Sequence, residues 1–405
     1  MNTLNRVLFI GLVWPEPTSS AAGYRILQLV DLFIKKGYEV VFASAAQKSE
    51  RSFKFSSDVK TVEILLNNDS FDDFITELNP TVVVYDRFMI EEQYGWRVRN
   101  CCPEALTILD TEDLHFLRKA REIAFKKNAV LNLFTDDTKR ELASIYRCDF
   151  SLIISKNEMT LLRETFNVND YKILYLPFVF SEEDSDAITN DFAFRSDFCF
   201  IGNFIHEPNY QTVVQLKKTY WPILRKKLPE AKLYIYGAYP SQKIWDLHNE
   251  KEGFIVVGAV DSVKEVFNKH KVLLAPIPFG AGIKGKFFDA AKYNIPNVTT
   301  NIGAEAMFLD KWNGFVEDDV DEFIKQAVLM YTNEVVWNDK VTNGKFLLSE
   351  LYTESNNFDI LFDKINSIQK NIWLHRNSNF IGEVLFQQQL QASKFLSLWI
   401  MEKNK

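Results

Sequence analysis

The stretch from residue 273 to residue 300, LLAPIPFGAGIKGKFFDAAKYNIPNVTT, decides how this chain is organised. It begins with an apolar run typical of a buried strand, passes through a glycine-rich turn and enters a helical segment near Lys286. The helix is expected to stop at Asn294, and Pro296 leads into another strand. Strand, glycine turn, helix and strand form the repeating unit of a doubly wound α/β domain.

The spacing of the glycines is close to that of an ATPase phosphate-binding loop. Gly280 and Gly285, followed by Lys286, match the pattern G-x-x-x-x-G-K. The next residue of such a loop is Ser or Thr, whose hydroxyl holds magnesium, but Phe287 stands here. No later apolar strand ends in an aspartate suited to be the second metal ligand. The sequence therefore indicates a diphosphate site of another kind.

The same turn is chemically suited to bind an anion without a metal. Glycines let a ligand approach the backbone closely, and a helix amino terminus offers unpaired N–H groups and the positive end of the helix dipole. Lys284 and Lys286 add positive charge. Charged hydrogen bonds of this kind contribute about 1.5–3 kcal/mol each. The alternative interpretation is that the glycines only turn a corner of the fold.

The alternation of strands and helices begins at the amino-terminal end. The run VLFIGLV is typical of a buried strand, WPEPTSSAAG contains breakers, and YRILQLVDLFIKKG has the periodicity of an amphipathic helix. That helix is expected to end at Gly37, and YEVVFAS forms the next strand. A right-handed crossover makes the two strands parallel. Further buried strands are predicted at residues 80–87, 105–110 and 150–157.

An acidic segment separates this block from a second alternating block. It contains SEEDSDAITND and is poor in large apolar residues, so we predict a linker at residues 181–192. Two successive blocks imply an α/β protein with two doubly wound, Rossmann-like domains, at residues 1–180 and 193–350. Residues 351–405 contain no convincing strand and are expected to form helices that pack partly on the first domain.

Composition narrows the class of protein. A chain of 405 residues with 47% hydrophobic and 25% charged residues is globular and long enough for two domains. A net charge of −7 argues against a general nucleic-acid binder. The four cysteines have no zinc-site spacing, which favours free buried thiols in a reducing cytoplasm. No apolar run approaches the ~18 residues of a membrane span, and the first apolar run is interpreted as a strand, not a signal peptide.

The last predicted helix carries apolar side chains at helical spacing. They are Ile381, Val384, Leu385, Ala392, Phe395, Leu396 and Trp399. One interpretation is that they pack on the protein's own domains. The other is a contact with a second copy of the chain or with a membrane surface, since Gln388 and Gln389 interrupt the stripe at the chain end. Lys394, Lys403 and Lys405 would suit an acidic surface.

Four segments, in this order, resemble a known family. PTSSAAGYRILQLVDLFIKKGYEV, SLIISKNEMTLL, FIGNFIHEPNY and PFGAGIKGKFFDAAKYNIPNVTTNIGAEAM are similar to segments of the retaining glycosyltransferases with the GT-B fold, family four, also known as glycosyl transferases group 1. The last of them resembles the donor site, where a glycine-rich loop precedes a lysine and an acidic residue. The resemblance spans most of residues 5–330. It implies two Rossmann-like domains that face a cleft, with a carboxyl-terminal helical extension.

The resemblance implies specific roles for donor-site residues. Backbone groups of the glycine-rich loop would hold the donor diphosphate and face the transferred sugar; they belong to Gly280, Ala281, Gly282 and Ile283. Lys286 would stabilise the leaving phosphate, with Lys284 as a nearby alternative, and Asp289 would accept hydrogen bonds from the ribose. Gly23, with Ala22 and Arg25, would approach the phosphates from the first domain. Residues 258–263 would contact the nucleobase.

Two departures from the family pattern bear on activity. The family's acidic pair, Glu-x7-Glu, is replaced by Ala281 and Asp289, so the carboxylate that would touch the donor sugar is absent. The Arg and Lys that commonly follow the first strand of the second domain are also missing. Lys284 and Lys286 are candidates to supply that charge.

Polar residues at strand ends are candidates for the rest of the cleft. Asp110, Glu112, Asp113 and His115 follow the strand at 105–110, where ligands collect in open α/β sheets. Asp113 or His115 would orient an acceptor hydroxyl, or Asp110 and Thr111 would simply cap a helix.

Three further positions carry paired interpretations. Glu158 would line the cleft or support a helix amino terminus. His206, with Glu207, Asn209 and the nearby Asn203, lies in a loop that faces the cleft or forms a turn before a helix. Residues 85–87, at another strand end, form a further candidate.

We therefore predict a retaining, metal-independent hexosyltransferase of the GT-B fold without a cofactor. It would move sugar from a nucleotide sugar to a glycan, lipid-linked or protein-linked acceptor in bacterial cell-surface polysaccharide assembly. The alternatives are a nucleotide-sugar 2-epimerase and a catalytically silent GT-B partner subunit, the latter motivated by Ala281 and Asp289. The expected location is the cytoplasm or the inner face of the membrane, with a membrane or homo-oligomer contact through the last helix.

Overall fold

The first domain is built on a seven-stranded parallel sheet. The computed structural model describes residues 5–19, 21–178, 191–307, 311–351 and 354–403. The strands of the first sheet are β1 Arg6–Gly11, β2 Glu39–Ser44, β3 Val59–Glu63, β4 Val82–Asp86, β5 Leu106–Asp110, β6 Phe150–Ile153 and β7 Ile173–Tyr175. Their order is β3-β2-β1-β4-β5-β6-β7. The order reverses direction beside β1, so the carboxyl ends of β1 and β4 flank a crevice.

Helices cover both faces of this sheet. They are α1 Ala21–Lys35, α2 Ser70–Leu78, α3 Phe88–Cys101, α4 His115–Lys127, α5 Asp136–Arg147 and α6 Lys156–Glu164. Alternate residues of β1 enter the two opposite cores: Val7 and Phe9 face one, Leu8 and Ile10 the other. Because the inner strands β1, β4, β5 and β6 are buried on both faces, they read as continuous apolar runs in the sequence.

The second domain repeats the plan with six parallel strands. They are β8 Ser196–Ile201, β9 Leu233–Tyr236, β10 Phe254–Gly258, β11 His270–Ala275, β12 Asn297–Thr299 and β13 Gly314–Val316, in the order β10-β9-β8-β11-β12-β13. The helices are α7 Glu207–Gln215, α8 Trp221–Lys227, α9 Gln242–Trp245, α10 Val263–Lys269, α11 Gly285–Lys292, α12 Asn301–Ala304, α13 Val320–Thr332 and α14 Glu334–Leu351. The predicted fold class is therefore confirmed.

The glycine-rich stretch forms the predicted elements. Its strand is β11, its helix is α11, and β12 follows. Asn294 adopts a left-handed conformation with φ of 53° just beyond the helix, which explains why the helix stops there.

The carboxyl-terminal helices return to the first domain. They are α15 Glu354–Gln369, α16 Ile372–Ser378 and α17 Phe380–Lys403. Leu361 and Ile365 of α15 join the core that contains Val7 and Phe9. The α17 helix lies on α3 and α5, with an ion pair of 2.6 Å between Arg99 and Glu383.

The apolar stripe of α17 is largely exposed. Ile381, Phe395 and Trp399 keep 63%, 66% and 60% of their surface exposed. The interpretation that the stripe packs on the protein's own domains is wrong for these side chains, because the packed face of α17 is a different one. A contact with a membrane or a second copy stays a prediction. In the described part of the chain, no helix has the length and apolar character needed to cross a membrane.

Several details differ from the sequence prediction. Most of the predicted linker, residues 181–190, lies outside the described residues, and a short 3-10 helix at Phe192–Phe194 precedes β8. The strands β3, β7 and β13 were not predicted, because they are short or, like β3, largely exposed at a sheet edge. The cysteines are free thiols, three buried and Cys101 half-buried.

A buried ion pair fastens α16 to the first domain. Both carboxylate oxygens of Asp149 accept hydrogen bonds from Arg376, each at 2.8 Å, and neither side chain is more than 3% exposed. Burial raises the pKa of Asp149, but Arg376 lowers it overall. The pair therefore stabilises the fold above pH of about 4, and this contribution is lost as the pH falls.

We expect Arg376→Ala to lower the free energy of unfolding by about 3–5 kcal/mol at pH 7, because it leaves a buried carboxylate uncompensated. Denaturant unfolding followed by circular dichroism measures this. The control is Lys370→Ala, which removes an exposed lysine close to Arg376 in the sequence. A loss for Arg376→Ala no larger than that of the control would contradict the structural role of the pair.

Candidate functional site

A cleft between the two domains has a volume of about 530 Å³. Residues from both domains line it, including the loops that follow β1, β5, β8, β10 and β11. Two helix amino termini meet at its floor, those of α1 and α11. A Cβ atom built on Gly285 would lie only 2.8 Å from Cβ of Ala21. The positive ends of two helix dipoles therefore point to one place, which favours a bound anion.

Lys284 and Lys286 stand beside these helix ends and line the cleft. Nζ of Lys286 donates to Oδ1 of Asn209 at 2.6 Å and lies 4.8 Å from the ring centre of Phe200. Nζ of Lys284 donates to the carbonyl of Gly282 at 3.0 Å. Neither ammonium group forms an ion pair with a carboxylate of the described residues within 4 Å.

The charge on both lysines is poorly compensated. Burial lowers the pKa of Lys286 to about 7, and the neighbouring charge of Lys284 contributes. Burial lowers the pKa of Lys284 to about 8, with Glu305 opposing the shift. An anion with two negative charges in the cleft would supply the missing partner.

The glycine-rich loop is held by the first domain. The N–H of Gly282 donates to Oε1 of Glu158 at 2.9 Å, and the carbonyl of Gly280 accepts from Nη1 of Arg121 at 2.7 Å. Ala281 packs into a core of the first domain. The N–H of Gly282, which the resemblance assigned to the donor, is thus used by Glu158. Gly280, Ala281, Ile283 and Lys284 line the cleft together with the first turn of α11, whereas Gly282 does not.

The other predicted donor residues lie in different surroundings. Asp289 lines the cleft from α11. Arg25 reaches the cleft edge, but its guanidinium pairs with Asp110 at 2.8 Å, and both side chains are buried. Gly23 lies against the backbone of Glu16, where a Cβ atom would come within 2.6 Å, so its role here is close packing.

The first-domain wall of the cleft is polar. Asp113 pairs with Arg118 at 2.6 Å, and its Oδ1 lies 3.4 Å from Nε2 of His115. Burial raises the pKa of Asp113, but Arg118 and His115 lower it overall, so the carboxylate is ionised at neutral pH. Burial lowers the pKa of His115 to about 3 and that of His206 to about 4, so both imidazoles are neutral. Such a set can accept hydrogen bonds from a hydroxyl group.

Two residues of this wall have unusual backbone conformations. Arg87 has φ of 73° and Glu112 has φ of 59°. Their side chains form an ion pair of 2.6 Å at the ends of β4 and β5. Non-glycine residues with positive φ are uncommon and collect at functional sites. Burial raises the pKa of Glu112 to about 8, with Arg87 opposing the shift.

Part of the segment that the resemblance assigns to the nucleobase lines the cleft. Val260, Asp261, Ser262 and Val263 line the cleft on the second-domain side. Asn203 and His206 line it from the loop after β8. Asp110 and Glu158 are predicted cleft residues that the structure buries behind the wall instead.

Several residues of the site were not identified from the sequence. Arg118 and Arg121 follow His115 at intervals of three, so one face of α4 presents all three. This spacing in the sequence could have identified Arg118 and Arg121 as neighbours of His115. Glu305 reaches the site only through its tertiary contact with Arg121. Asn209, which the sequence placed near the cleft, accepts a hydrogen bond from Lys286. Among the described residues, no group of His, Cys, Asp and Glu forms a candidate metal site.

Comparison with known proteins identifies the fold. Residues 195–333 match the family described as Glycosyl transferases group 1. The structure is similar to sucrose-phosphate synthase from Thermosynechococcus elongatus, with a TM-score of 0.69 and 12% identity over 90% of this chain and 99% of that one. It is also similar to WaaG, a glycosyltransferase involved in lipopolysaccharide biosynthesis, with a TM-score of 0.63 and 11% identity over 89% of this chain and 99% of that one.

A further similar structure is a TarM variant from S. aureus in complex with fondaparinux, α-GlcNAc-glycerol and UDP. The TM-score is 0.59 and the identity 12% over 73% of this chain, which spans 58% of the TarM chain. No curated protein matches the sequence. The chain therefore has the GT-B fold, and its second domain matches the model of the glycosyl transferases group 1 family over residues 195–333.

Proposed function

We propose that this protein is a retaining, metal-independent glycosyltransferase that uses a nucleotide sugar. The observation that carries the proposal is the convergence of two lysines and two helix amino termini in one inter-domain cleft, where neither lysine has a carboxylate of the described residues within 4 Å. The diphosphate of a nucleotide sugar has the matching charge and size. The similarity of the second domain to glycosyl transferases group 1 supports the same conclusion.

The chemistry follows from where negative charge develops. When the bond between sugar and phosphate loosens, charge accumulates on the leaving phosphate. Lys286, Lys284 and the amides at the start of α11 are placed to stabilise that charge before the reaction begins. Asp289 would accept hydrogen bonds from the ribose. The closed cleft would exclude water and limit hydrolysis of the donor.

The acceptor would bind against the first-domain wall. The ionised Asp113 can accept a hydrogen bond from an acceptor hydroxyl, and the neutral His115 can orient it. The acceptor class that we propose is a glycan, lipid-linked or protein-linked hydroxyl of cell-surface glycan assembly, with a hexose as the transferred sugar. This class is supported by the similarity to WaaG, a glycosyltransferase involved in lipopolysaccharide biosynthesis, and to a TarM variant that binds UDP and α-GlcNAc-glycerol. The proposed location is the cytoplasm or the inner face of the membrane.

The test of this function begins with a thermal-shift panel of nucleotide sugars, followed by NMR observation of donor turnover. We expect Lys286→Ala to lower turnover by about 100-fold or more, the scale seen when one preorganised donor to a developing charge is removed. Lys139→Ala, an exposed lysine of α5, is the matched control. Equal turnover in the two variants would remove Lys286 from the donor site. Absence of turnover in the parent protein would argue for a silent partner subunit, and release of a free 2-epimer without acceptor would argue for an epimerase.

Asp289→Ala tests the ribose contact separately. Loss of a charged hydrogen bond is expected to raise the KM for the donor about tenfold or more, while the unfolding midpoint stays near that of the parent protein. Steady-state kinetics with the donor identified in the panel measures the change. An unchanged KM would remove Asp289 from the donor site.

Metal independence gives another test. Donor turnover should persist after dialysis against EDTA, because the lysines and helix amides supply the positive charge that a divalent ion supplies elsewhere. Turnover is compared before and after dialysis, and again after Mg²⁺ is added. A loss that Mg²⁺ restores would contradict this part of the proposal.

The lysines also predict a pH dependence of donor binding. Their pKa values of about 7 and 8 in the empty cleft should rise when a diphosphate binds, so binding takes up protons. Affinity should therefore fall as the pH rises from 7 to 9. Calorimetry in buffers of different ionisation enthalpy measures the proton uptake. The ligand is a nucleotide sugar, which has no terminal phosphate, because a terminal phosphate titrates near neutral pH and would exchange protons of its own. Lys286→Ala should reduce the uptake, and Lys139→Ala should not.

A further inference from the structure

Glu158 connects the two domains at the donor loop. Its carboxylate is 2% exposed. Oε1 accepts from the N–H of Leu114 in the first domain at 3.0 Å and from the N–H of Gly282 in the second at 2.9 Å. Oε2 accepts from the hydroxyl of Ser155 at 3.1 Å. Glu158 does not line the cleft, so it acts on the donor through the loop.

Arg121 holds the same loop from the opposite side of Ala281. Its Nη1 donates to the carbonyl of Gly280 at 2.7 Å. The guanidinium also binds both carboxylate oxygens of Glu305, each at 2.7 Å. Arg121 belongs to α4 of the first domain, while Gly280 and Glu305 belong to the second. A carboxyl group and a guanidinium group of one domain therefore hold an N–H and a carbonyl of the other.

The loop has little conformational freedom while the two domains are in contact. Gly282 has φ of 60°, and a Cβ atom there would lie 2.7 Å from Cβ of Asp113. The loop is pressed on the segment that carries Asp113 and His115. The position of the donor loop and the position of the first-domain wall are thus set by the same contacts.

Opening of the domains would break these contacts selectively. Glu158 would keep Leu114 and Ser155 and lose only Gly282. Arg121 would lose both Gly280 and Glu305, and its charge would pass to water. The hydrogen bonds of Glu158 within the first domain would therefore survive the opening. The loop would lose both partners that fix its peptide groups.

We propose that Glu158 and Arg121 are positioning residues that give the donor loop its productive conformation only when the domains close. This inference rests on the proposed function. It adds that donor-site assembly and domain closure are one event, controlled by two first-domain side chains that touch neither donor nor acceptor. Closure before chemistry is a means of protecting a reactive donor from water.

The structure offers a matched control for Arg121. Lys126, also on α4, forms an inter-domain ion pair of 2.6 Å with Glu207 but does not contact the loop. Glu141 is the control for Glu158 in domain closure. It is a buried carboxylate that accepts from the N–H groups of His115 and Phe116 at 3.1 and 2.8 Å, within one domain.

The experiment compares Glu158→Gln, Glu158→Ala and Arg121→Gln with Lys126→Gln. Closure is followed by small-angle scattering with and without a saturating nucleotide sugar, and kcat and KM are measured for the donor. We expect kcat to fall at least tenfold in Glu158→Ala and Arg121→Gln, with KM changed less than threefold and the closed fraction reduced. Glu158→Gln keeps one acceptor oxygen and should recover part of kcat. Lys126→Gln should keep the parent kcat.

The outcomes separate this inference from the proposed function. Equal effects of Arg121→Gln and Lys126→Gln, or an unchanged kcat in Glu158→Ala, would overturn the inference while donor turnover by the parent protein stands. Absence of turnover in the parent would overturn the proposed function, and scattering would still test closure. In the scattering experiment, Glu141→Gln should show the same domain closure as the parent protein, although it also loses a buried carboxylate. If Glu158→Ala does not fold, Arg121→Gln decides.

Discussion

The cleft depends on a close approach of two backbones that only glycine permits. Gly285 meets Ala21 where α1 and α11 begin, and Gly282 meets Asp113 where the donor loop touches the first domain. A methyl group at either place would collide at 2.7 to 2.8 Å. Because both contacts join different domains, the small residues bring two helix amino termini together at the cleft. The glycine-rich loop therefore serves inter-domain packing, whatever it binds.

Charge is divided unequally across this cleft. The second domain contributes Lys284 and Lys286, whose pKa values are lowered because burial is not offset by a carboxylate close by. The first domain contributes Asp113, kept ionised by Arg118, beside a neutral His115. The first-domain side also carries Arg87 and Arg118, but they pair with Glu112 and Asp113. Lys284 and Lys286 have no carboxylate of the described residues within 4 Å, so the imbalance of charge lies on the side of the second domain.

The carboxyl-terminal helices have a separate role in the architecture. The α14 helix packs on the second domain, whereas α15, α16 and α17 pack on the first. The buried pair of Asp149 and Arg376 fixes this return. The chain thus passes between the domains twice, which limits how far they can move apart. The α17 helix lies on the first domain, and its exposed apolar side chains are on the face of the helix that does not pack there.

The sequence by itself determined the two-domain α/β fold, the glycine turn between β11 and α11, and the lysines at the helix start. These features are local: apolar runs, breakers and spacing along one strand–turn–helix unit specify them. Short edge strands such as β3 carry too few buried residues to show a pattern. Only the tertiary structure paired Arg25 with Asp110, Arg121 with Glu305, and Glu158 with Gly282. Partners 85 to 184 residues apart leave no periodic trace, because their meeting is decided by how two sheets and two domains pack.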